Sequence, residues 1–249
     1  MQRLVSAWVW TVWVLSVLLG FPIACLLFLV TAPFDPGRYV VGRFFRLVGK
    51  SGAVLNPWWR FHTTGLHIAD PRRPYVAVAN HESYADIFLL CYLPWEMKWL
   101  AKQTIFNIPV MGWMMRMAGD VPVVRGDKSS AVGALEACRD RLAKNVSIMI
   151  FPEGTRSPDD ELLQFKGGAF SLAVECQVPV LPIAIAGTRT AMAKHSFQVN
   201  RATAACRVLE PIETKGMGPR DVPALRNRVR TLIDEARREL RAELEGRPA

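Results

Sequence analysis

Short apolar runs alternate with amphipathic stretches along the chain from about residue 63 onward. Runs rich in β-branched residues predict strands, and apolar positions three or four apart predict helices. The predicted strands cover residues 75–79, 98–101, 121–124, 147–151, 180–186 and 204–209, and the predicted helices cover residues 86–91, 105–117, 128–144, 168–175 and 222–244. This alternation is typical of an α/β sandwich around a largely parallel sheet.

The amino-terminal part of the chain has a different pattern. No charged residue occurs between Arg3 and Asp35, and a continuous helix over that span would be roughly 45 Å long, more than the hydrocarbon core of a bilayer requires. Pro22, near the middle of the apolar segment 4–34, predicts a kink or a break. We therefore expect a membrane-embedded helical segment, either one tilted and kinked transmembrane helix or two short helices that dip into one leaflet and return.

A basic stretch, residues 36–61, follows the apolar segment. Arg38, Arg43, Arg46 and Lys50 recur at helical spacing between aromatic and aliphatic residues, which is typical of an amphipathic helix lying on anionic headgroups. The alternative is a helix that packs on the following domain. We expect membrane-anchoring helices over residues 1–61 and a catalytic domain over residues 62–249. The expected location is the inner membrane with this domain facing the cytoplasm; if a single helix spans the bilayer, the basic excess after it favours that orientation.

Composition narrows the class of protein. The 249 residues are 51% hydrophobic and carry a formal net charge of +9, which favours an anionic membrane partner over nucleic acid. No nucleic-acid-binding signature is present. The five cysteines include no C-x-x-C pair, so free thiols are predicted. His62, His67 and His195 have no carboxylate or cysteine at a ligand-like spacing, so neither a metal nor another cofactor is expected.

Two polar blocks directly follow predicted strands. The His-Asp motif, residues 80–86, reads Asn-His-Glu-Ser-Tyr-Ala-Asp, and the Glu-Arg motif, residues 151–157, reads Phe-Pro-Glu-Gly-Thr-Arg-Ser. Because open α/β sheets bind ligands where their strands end, both motifs are expected near one binding site. A histidine whose tautomer is held by a carboxylate is suited to act as a general base, so His81 and Asp86 are the candidate catalytic pair.

Candidate anion ligands lie at equivalent positions of the predicted sheet. Lys102 and Arg125 each follow a predicted strand, and Arg156 has the planar guanidinium that binds a phosphate in a bidentate manner. The three side chains are expected to converge on one anion. Glu153 is expected either to hold an acceptor hydroxyl or to pair with Arg156 and lock the loop. Gly154 would let the backbone approach a ligand closely.

The motifs, in this order, resemble those of the glycerolipid acyltransferases, most closely the 1-acyl-sn-glycerol-3-phosphate (lysophosphatidate) acyltransferases. That family has an N-H-x-S-x-x-D block, a block from glycine to arginine, F-P-E-G-T-R-S, and an apolar V-P block, which correspond here to residues 80–86, 119–125, 151–157 and 178–182. The resemblance implies catalytic roles for His81 and Asp86. It implies substrate-binding roles for Lys102, Arg125, Glu153, Gly154, Thr155 and Arg156.

The resemblance also implies a reaction. A fatty acyl group would move from acyl-CoA or acyl carrier protein to the free hydroxyl of a lysophospholipid, with 1-acyl-sn-glycerol-3-phosphate as the expected acceptor and phosphatidate as the product. In the block 119–125, Pro122, Val123 and Val124 directly precede Arg125, where many family members have an aromatic residue and an aspartate before the arginine. This departure leaves glycerol-3-phosphate, another lysophospholipid or an amino-acid-derived lysolipid open as acceptors. A non-catalytic membrane lipid-binding protein is the alternative from another class.

Overall fold

The computed structural model describes residues 1–65, 70, 72–193 and 196–246. His67 and His195, for which no metal role is predicted, and residues 247–249 of the expected catalytic domain lie outside the described residues. The α-helices are α1 (Gln2–Thr31), α2 (Tyr39–Val54), α3 (Ala85–Leu90), α4 (Gln103–Phe106), α5 (Met111–Ala118), α6 (Lys128–Ala143), α7 (Gly168–Cys176), α8 (Thr188–Ala191) and α9 (Val222–Glu245). The strands are β1 (Trp59–Thr64), β2 (Val76–Ala79), β3 (Met97–Lys102), β4 (Val121–Val123), β5 (Ser147–Ile150), β6 (Val180–Ala186) and β7 (Ala202–Val208).

The strands form one mixed sheet in the order β1-β7-β6-β2-β5-β3-β4. The run from β6 to β4 is parallel throughout, whereas β7 is antiparallel to β6 and parallel to β1. Every residue of β2, β5 and β6 is buried, as is usual for parallel strands covered on both faces. The predicted α/β sandwich around a largely parallel sheet is confirmed.

Alternate residues of β2 pack into two separate cores, one on each face of the sheet. Ala77 lies in the core that includes Leu89 of α3. Val78 lies in the opposite core with Phe170 of α7 and Val229 of α9. This period of two is that of a pleated strand, and it leaves the carboxyl end of β2 between the two helical layers.

The ends of several strands differ by one or two residues from the prediction, and the short helix α8 is not predicted. Two larger differences affect α4, α5 and β1. The helix predicted over residues 105–117 is split into α4 and α5, because Pro109 lacks a backbone donor and Val110 has a positive φ of 62°. The edge strand β1 is not predicted, since its residues begin within the basic stretch. The expected boundary between residues 61 and 62 therefore falls inside a strand that pairs with β7.

The apolar segment forms one continuous helix, α1, with Pro22 inside it. This helix runs antiparallel to α2. The guanidinium of Arg38 lies 4.4 Å from the ring centroid of Phe28, and a Cβ atom at Gly20 would lie 2.9 Å from Val48. Helices α1 and α2 therefore form a hairpin whose turn is at residues 32–38. The predicted alternative of two short helices placed the turn near Pro22 instead.

Both halves of α1 also contact the rest of the protein. Near its start, the Trp10 indole donates to the carbonyl of Phe197 at 2.7 Å, and the backbone N–H of Val199 donates to the Ser6 hydroxyl at 2.9 Å. Farther along, the rings of Phe21 and of Trp113 in α5 have centroids 5.7 Å apart. The helix is thus attached to the α/β domain along its length.

The basic side of α2 faces the protein. Arg46 is 6% exposed and forms ion pairs with Asp120 and with Glu96, the latter at 3.5 Å. Lys98 donates to the same Glu96 carboxylate at 3.1 Å, and a Cβ atom at Gly42 would overlap that carboxylate. Buried carboxylates require a cation nearby, so the expected contact of Arg46 with lipid headgroups is wrong. The exposed large hydrophobic residues of α2 are Val40, Leu47 and Val54.

Candidate functional site

Four neighbouring parallel strands end at one edge of the sheet, and the residues at these ends surround the candidate site. His81 follows β2, and Phe151 follows β5. Lys102 is the last residue of β3, and Arg125 lies two residues after β4. Parallel strands bring their carboxyl ends to the same side. The fold therefore places the candidate base and two of the candidate anion ligands at one edge, as the sequence predicts.

His81 and Asp86 form a hydrogen-bonded pair. His81 Nδ1 and Asp86 Oδ2 are 2.7 Å apart, and Asp86 is fully buried. The same oxygen accepts the backbone N–H groups of Glu82 at 2.8 Å and Ser83 at 3.0 Å, while Oδ1 accepts the Thr188 hydroxyl. An ionised carboxylate can only accept, so Nδ1 carries the imidazole proton and Nε2 keeps its lone pair.

The two motifs are joined at His81. The imidazole stacks on the Phe151 ring, with centroids 4.0 Å apart and an interplanar angle of 18°. The backbone N–H of His81 donates to Glu153 Oε1 at 2.7 Å, and its carbonyl accepts the N–H of Ser157 at 2.9 Å. Contacts from the Glu-Arg motif therefore hold both the backbone and the ring of His81.

Glu153 locks two loops together through backbone donors. Its second oxygen accepts the N–H of Leu163 at 3.0 Å, and the residue is 4% exposed. Burial raises the pKa of this carboxyl, and the two backbone donors oppose the rise. Glu153 therefore ties the loops of His81 and Leu163 together through backbone donors, whereas the lock predicted from the sequence pairs it with Arg156. Gly154 follows with φ of 72°, a conformation that favours glycine, and Thr155 is exposed.

A cavity of about 210 Å³ is bounded by Phe151, the residue whose ring stacks on the His81 imidazole. Lys102, Arg125 and Gly154 line it, and Phe151 forms part of its wall. We call it the cationic cavity. Arg156 is not among the described residues that line it, and its guanidinium lies 3.9 Å from the ring centroid of Tyr84 instead. The structure thus brings together two of the three cations that the sequence predicts to converge.

Thr188 was not predicted to take part in the site. It is the first residue of α8, two residues after the end of β6, and is fully buried against Asp86. Gly187, which precedes it, has φ of 88°, so the chain turns sharply at the end of the strand. A glycine directly after a predicted strand indicates a turn at the strand end. The sequence could therefore have placed the hydroxyl of the next residue, Thr188, near the ends of the strands.

Glu82 is a second buried carboxylate next to the His81–Asp86 pair. It is 5% exposed, and its Oε1 atom lies 3.6 Å from Arg241 and 3.9 Å from Arg237, both on α9. Burial, followed by the charge of Asp86, raises its pKa to about 7, while Arg241, Arg189 and Arg237 act in the opposite direction. The His-Asp motif is therefore in electrostatic contact with the last helix.

Arginines from α8 and α9 hold the loop that follows the Glu-Arg motif. Arg189 donates to the carbonyl of Ser157 at 3.2 Å. Arg230 donates to the carbonyl of Leu162 at 2.7 Å, and Arg237 donates to a third carbonyl of this loop at 2.5 Å. The loop that carries Ser157 toward His81 is thereby fixed from outside the sheet.

The cysteines contribute no activated thiol to the site. All five are free, as predicted. Burial raises the pKa of Cys91, Cys138 and Cys206 to about 12 in each case. A thiol at that pKa is almost wholly protonated at neutral pH and is a poor nucleophile. The thiols therefore offer no alternative to His81 as the candidate catalytic group.

Comparison with known proteins agrees with this geometry. The Acyltransferase family model matches residues 60–186, about half of the chain. The chain is 40% identical over 158 residues to the chloroplastic 1-acyl-sn-glycerol-3-phosphate acyltransferase of Arabidopsis thaliana, covering 62% of this chain and 44% of that protein. It is 35% identical over 173 residues to the human 1-acyl-sn-glycerol-3-phosphate acyltransferase alpha, covering 69% and 61%. The chain spans about half the length of the curated relatives it matches.

The fold is shared with a solved structure. The 1-acyl-sn-glycerophosphate acyltransferase of Thermotoga maritima superposes with a TM-score of 0.82 at 24% sequence identity. The match covers 100% of this chain and 98% of that one. The amino-terminal helices are therefore part of the shared architecture.

Proposed function

This chain belongs to the Acyltransferase family, and from that premise we propose that it transfers a fatty acyl group from acyl-CoA or acyl carrier protein to the free hydroxyl of 1-acyl-sn-glycerol-3-phosphate, giving phosphatidate. The observation that carries this proposal is the position of the His81–Asp86 pair beside the cationic cavity, with Phe151 touching both. A base adjoining a cationic cavity suits an acceptor that has both a hydroxyl and a phosphate.

The proposed reaction uses His81 Nε2 as the base. It takes the proton of the acceptor hydroxyl while the oxygen attacks the thioester carbonyl, and Asp86 stabilises the resulting imidazolium without taking the proton. The tetrahedral intermediate then expels the donor's thiolate, which receives the proton from the imidazolium. No acyl-enzyme forms. The buried Ser83 hydroxyl donates to the carbonyl of Met192 at 2.8 Å, which supports a structural role for it.

The phosphate of the acceptor is proposed to bind Lys102 and Arg125 in the cationic cavity. Arg156 is proposed as a further substrate ligand, since it lies two residues after Gly154 at the cavity wall. Its guanidinium supplies the bidentate geometry that a lysine lacks. Glu153 supports the substrate site by holding His81 in place.

The membrane is proposed to hold the hairpin of α1 and α2. In the described part of the chain, α1 is the helix long and apolar enough to cross a bilayer, but both of its halves are attached to the α/β domain. The hairpin therefore fits an arrangement embedded in the cytoplasmic leaflet, with the catalytic domain in the cytoplasm where both donors occur. Contiguous apolar exposure of this kind marks a membrane-binding face. On α1 it comprises Leu4, Trp8, Val14, Leu15, Leu18, Leu19, Ile23, Leu26, Leu29 and Val30.

The test is an acceptor panel with the full-length chain in detergent. Lysophosphatidate, glycerol-3-phosphate, lysophosphatidylcholine and monoacylglycerol are each assayed with acyl-CoA and with acyl carrier protein as donor. We expect the highest kcat/KM for lysophosphatidate, and a kcat lower by about 10²-fold or more for the matched His81→Ala chain. A preference for another acceptor would contradict the proposed substrate. Lipid binding without acyl transfer to any acceptor would contradict the proposed activity.

A further inference from the structure

The cationic cavity has a third cation that the proposed mechanism does not use. Lys166 lies on its rim together with Lys102 and Arg125, and all three side chains are exposed. Within residues 1–65, 70, 72–193 and 196–246, none of these three cations takes part in an ion pair. Asp127 also lines the cavity, but its carboxylate caps α6 by accepting two backbone N–H groups at the start of that helix. Three cations that share a cavity without an ion-pair partner form a site suited to an anion.

The position of Lys166 is set by the Glu-Arg motif. Its backbone N–H donates to the carbonyl of Pro152 at 2.8 Å. Its side chain crosses Gly154, where an added Cβ atom would lie 2.8 Å from the Lys166 ammonium and 3.0 Å from its Cε atom. The ammonium is therefore held over the turn that leads from Glu153 to Arg156, on the cavity side of that turn.

The rest of the cavity wall strengthens the field of these cations. Leu100, Leu135 and Ile150 line the interior, and Phe151 separates it from the imidazole. Apolar walls of low dielectric focus the field of nearby charges and strengthen it relative to open water. Mutual repulsion of the three cations is relieved most by a ligand with more than one negative charge.

We propose that Lys166 joins Lys102 and Arg125 as the third cation of the cationic cavity that binds the acceptor phosphate, and that it selects a phosphate monoester over a phosphodiester or an uncharged headgroup. The inference rests on the proposed function for its substrate. A terminal monoester is largely dianionic near neutral pH and has three free oxygens for three cations. A phosphodiester has one charge and two free oxygens, so it gains less from the third cation.

The test compares Lys166→Gln with Lys128→Gln, which removes the same charge from an exposed lysine at the start of α6 that does not line the cavity. Lys166→Gln removes a hydrogen bond between charged groups, which contributes more to binding than a neutral one. We therefore expect this variant to raise the KM for lysophosphatidate by about tenfold or more. The kcat and the KM for the acyl donor should change little. The preference for lysophosphatidate over lysophosphatidylcholine should fall by the same factor, and Lys166→Arg should restore most of it.

A binding measurement gives a readout that does not depend on turnover. Glycerol-3-phosphate should raise the melting temperature of the wild-type chain and of Lys128→Gln, and should have a much smaller effect on Lys166→Gln. An acceptor KM equal to that of Lys128→Gln would overturn the inference, and so would a rise confined to the donor KM. If the wild type failed to acylate lysophosphatidate, the proposed function would fail, and the melting comparison would still decide whether Lys166 binds a phosphate monoester.

Discussion

The ring of Phe151 lies nearly parallel to the imidazole of His81, with the two centroids 4.0 Å apart. Phe151 is the first residue of the Glu-Arg motif and also lines the cationic cavity. The imidazole and the cavity therefore both contact Phe151. Glu153 and Ser157, from the same motif, hold the backbone of His81 on both sides. The orientation of the base relative to the cavity is thus set jointly by the two motifs.

His81→Ala is expected to lower kcat for lysophosphatidate by about 10²–10⁴-fold, the typical contribution of a positioned general base. The matched control is His62→Ala, because His62 is exposed on the edge strand β1 and lies apart from the site. Steady-state kinetics with thermal unfolding of both variants is the measurement. Turnover by His81→Ala close to that of the control would show that another group is the base.

Thr188→Val is expected to lower kcat about tenfold while leaving the acceptor KM unchanged. Valine keeps the volume but leaves the buried Asp86 Oδ1 without its hydroxyl donor, and an unsatisfied buried acceptor costs about 1–3 kcal/mol. Thr188 acts here as a positioning residue, so Thr188→Ser should restore kcat. Thr190→Val, which removes an exposed hydroxyl on the same short helix, is the control. A loss of stability with unchanged kcat would mean that Thr188 has only a packing role.

Arg46→Met is expected to lower the free energy of unfolding by about 3–5 kcal/mol, the usual effect of removing one partner of a buried ion pair. The substitution leaves Asp120 without its cation and Glu96 with Lys98 alone. Arg139→Met removes a half-exposed pair and should change stability by less than about 1 kcal/mol. Denaturant titration in one detergent compares the two. Equal effects would contradict the role assigned to the buried network.

Glu82→Gln is expected to stabilise the protein at pH 8 and to have little effect at pH 5. The folded-state pKa of Glu82 is about 7, above the ordinary value of 4.5, so its stabilising contribution is present below pH 4.5 and is lost as the pH rises through 7. Glutamine is neutral at every pH. The resulting increase in the free energy of unfolding above pH 7 is at most about 3 kcal/mol. Arg241 keeps Asp160 as a partner in the variant.

Melting temperatures at the two pH values, with the exposed Glu235→Gln as control, measure this difference. The shift relative to wild type should grow between pH 5 and pH 8 for Glu82→Gln only. A shift of the same size at both pH values would contradict the prediction. It would mean that folding does not raise the pKa of Glu82.

Washing of membranes tests the helical hairpin. Alkaline carbonate should leave the full-length chain in the membrane pellet, because the exposed face of α1 is apolar along its length. High salt alone should not release it, since salt screens surface charges and leaves apolar burial in place. Release by salt would show that exposed cations hold the chain on the membrane, and the embedded arrangement would then be wrong.

The sequence by itself determined the features that depend on neighbouring residues. Strand–helix alternation is a local periodicity, and it predicted β6 at its observed bounds. The pairing of His81 with Asp86 is also local, because the five residues between strand end and first helical turn leave the chain little freedom. Strand ends collect on one side of a parallel sheet whatever the details of packing, so Lys102 and Arg125 were placed correctly.

Only the tertiary structure decided the contacts between distant segments. Thr188 is 102 residues from Asp86, and Glu153 is 72 residues from His81, so no local pattern records either pair. The same holds for Arg46. The spacing of basic residues on α2 indicates an amphipathic helix, but it does not indicate which side of that helix packs against the rest of the protein. That side was decided by Glu96 and Asp120, since a carboxylate buried by the fold is stable only where a cation from another segment is brought against it.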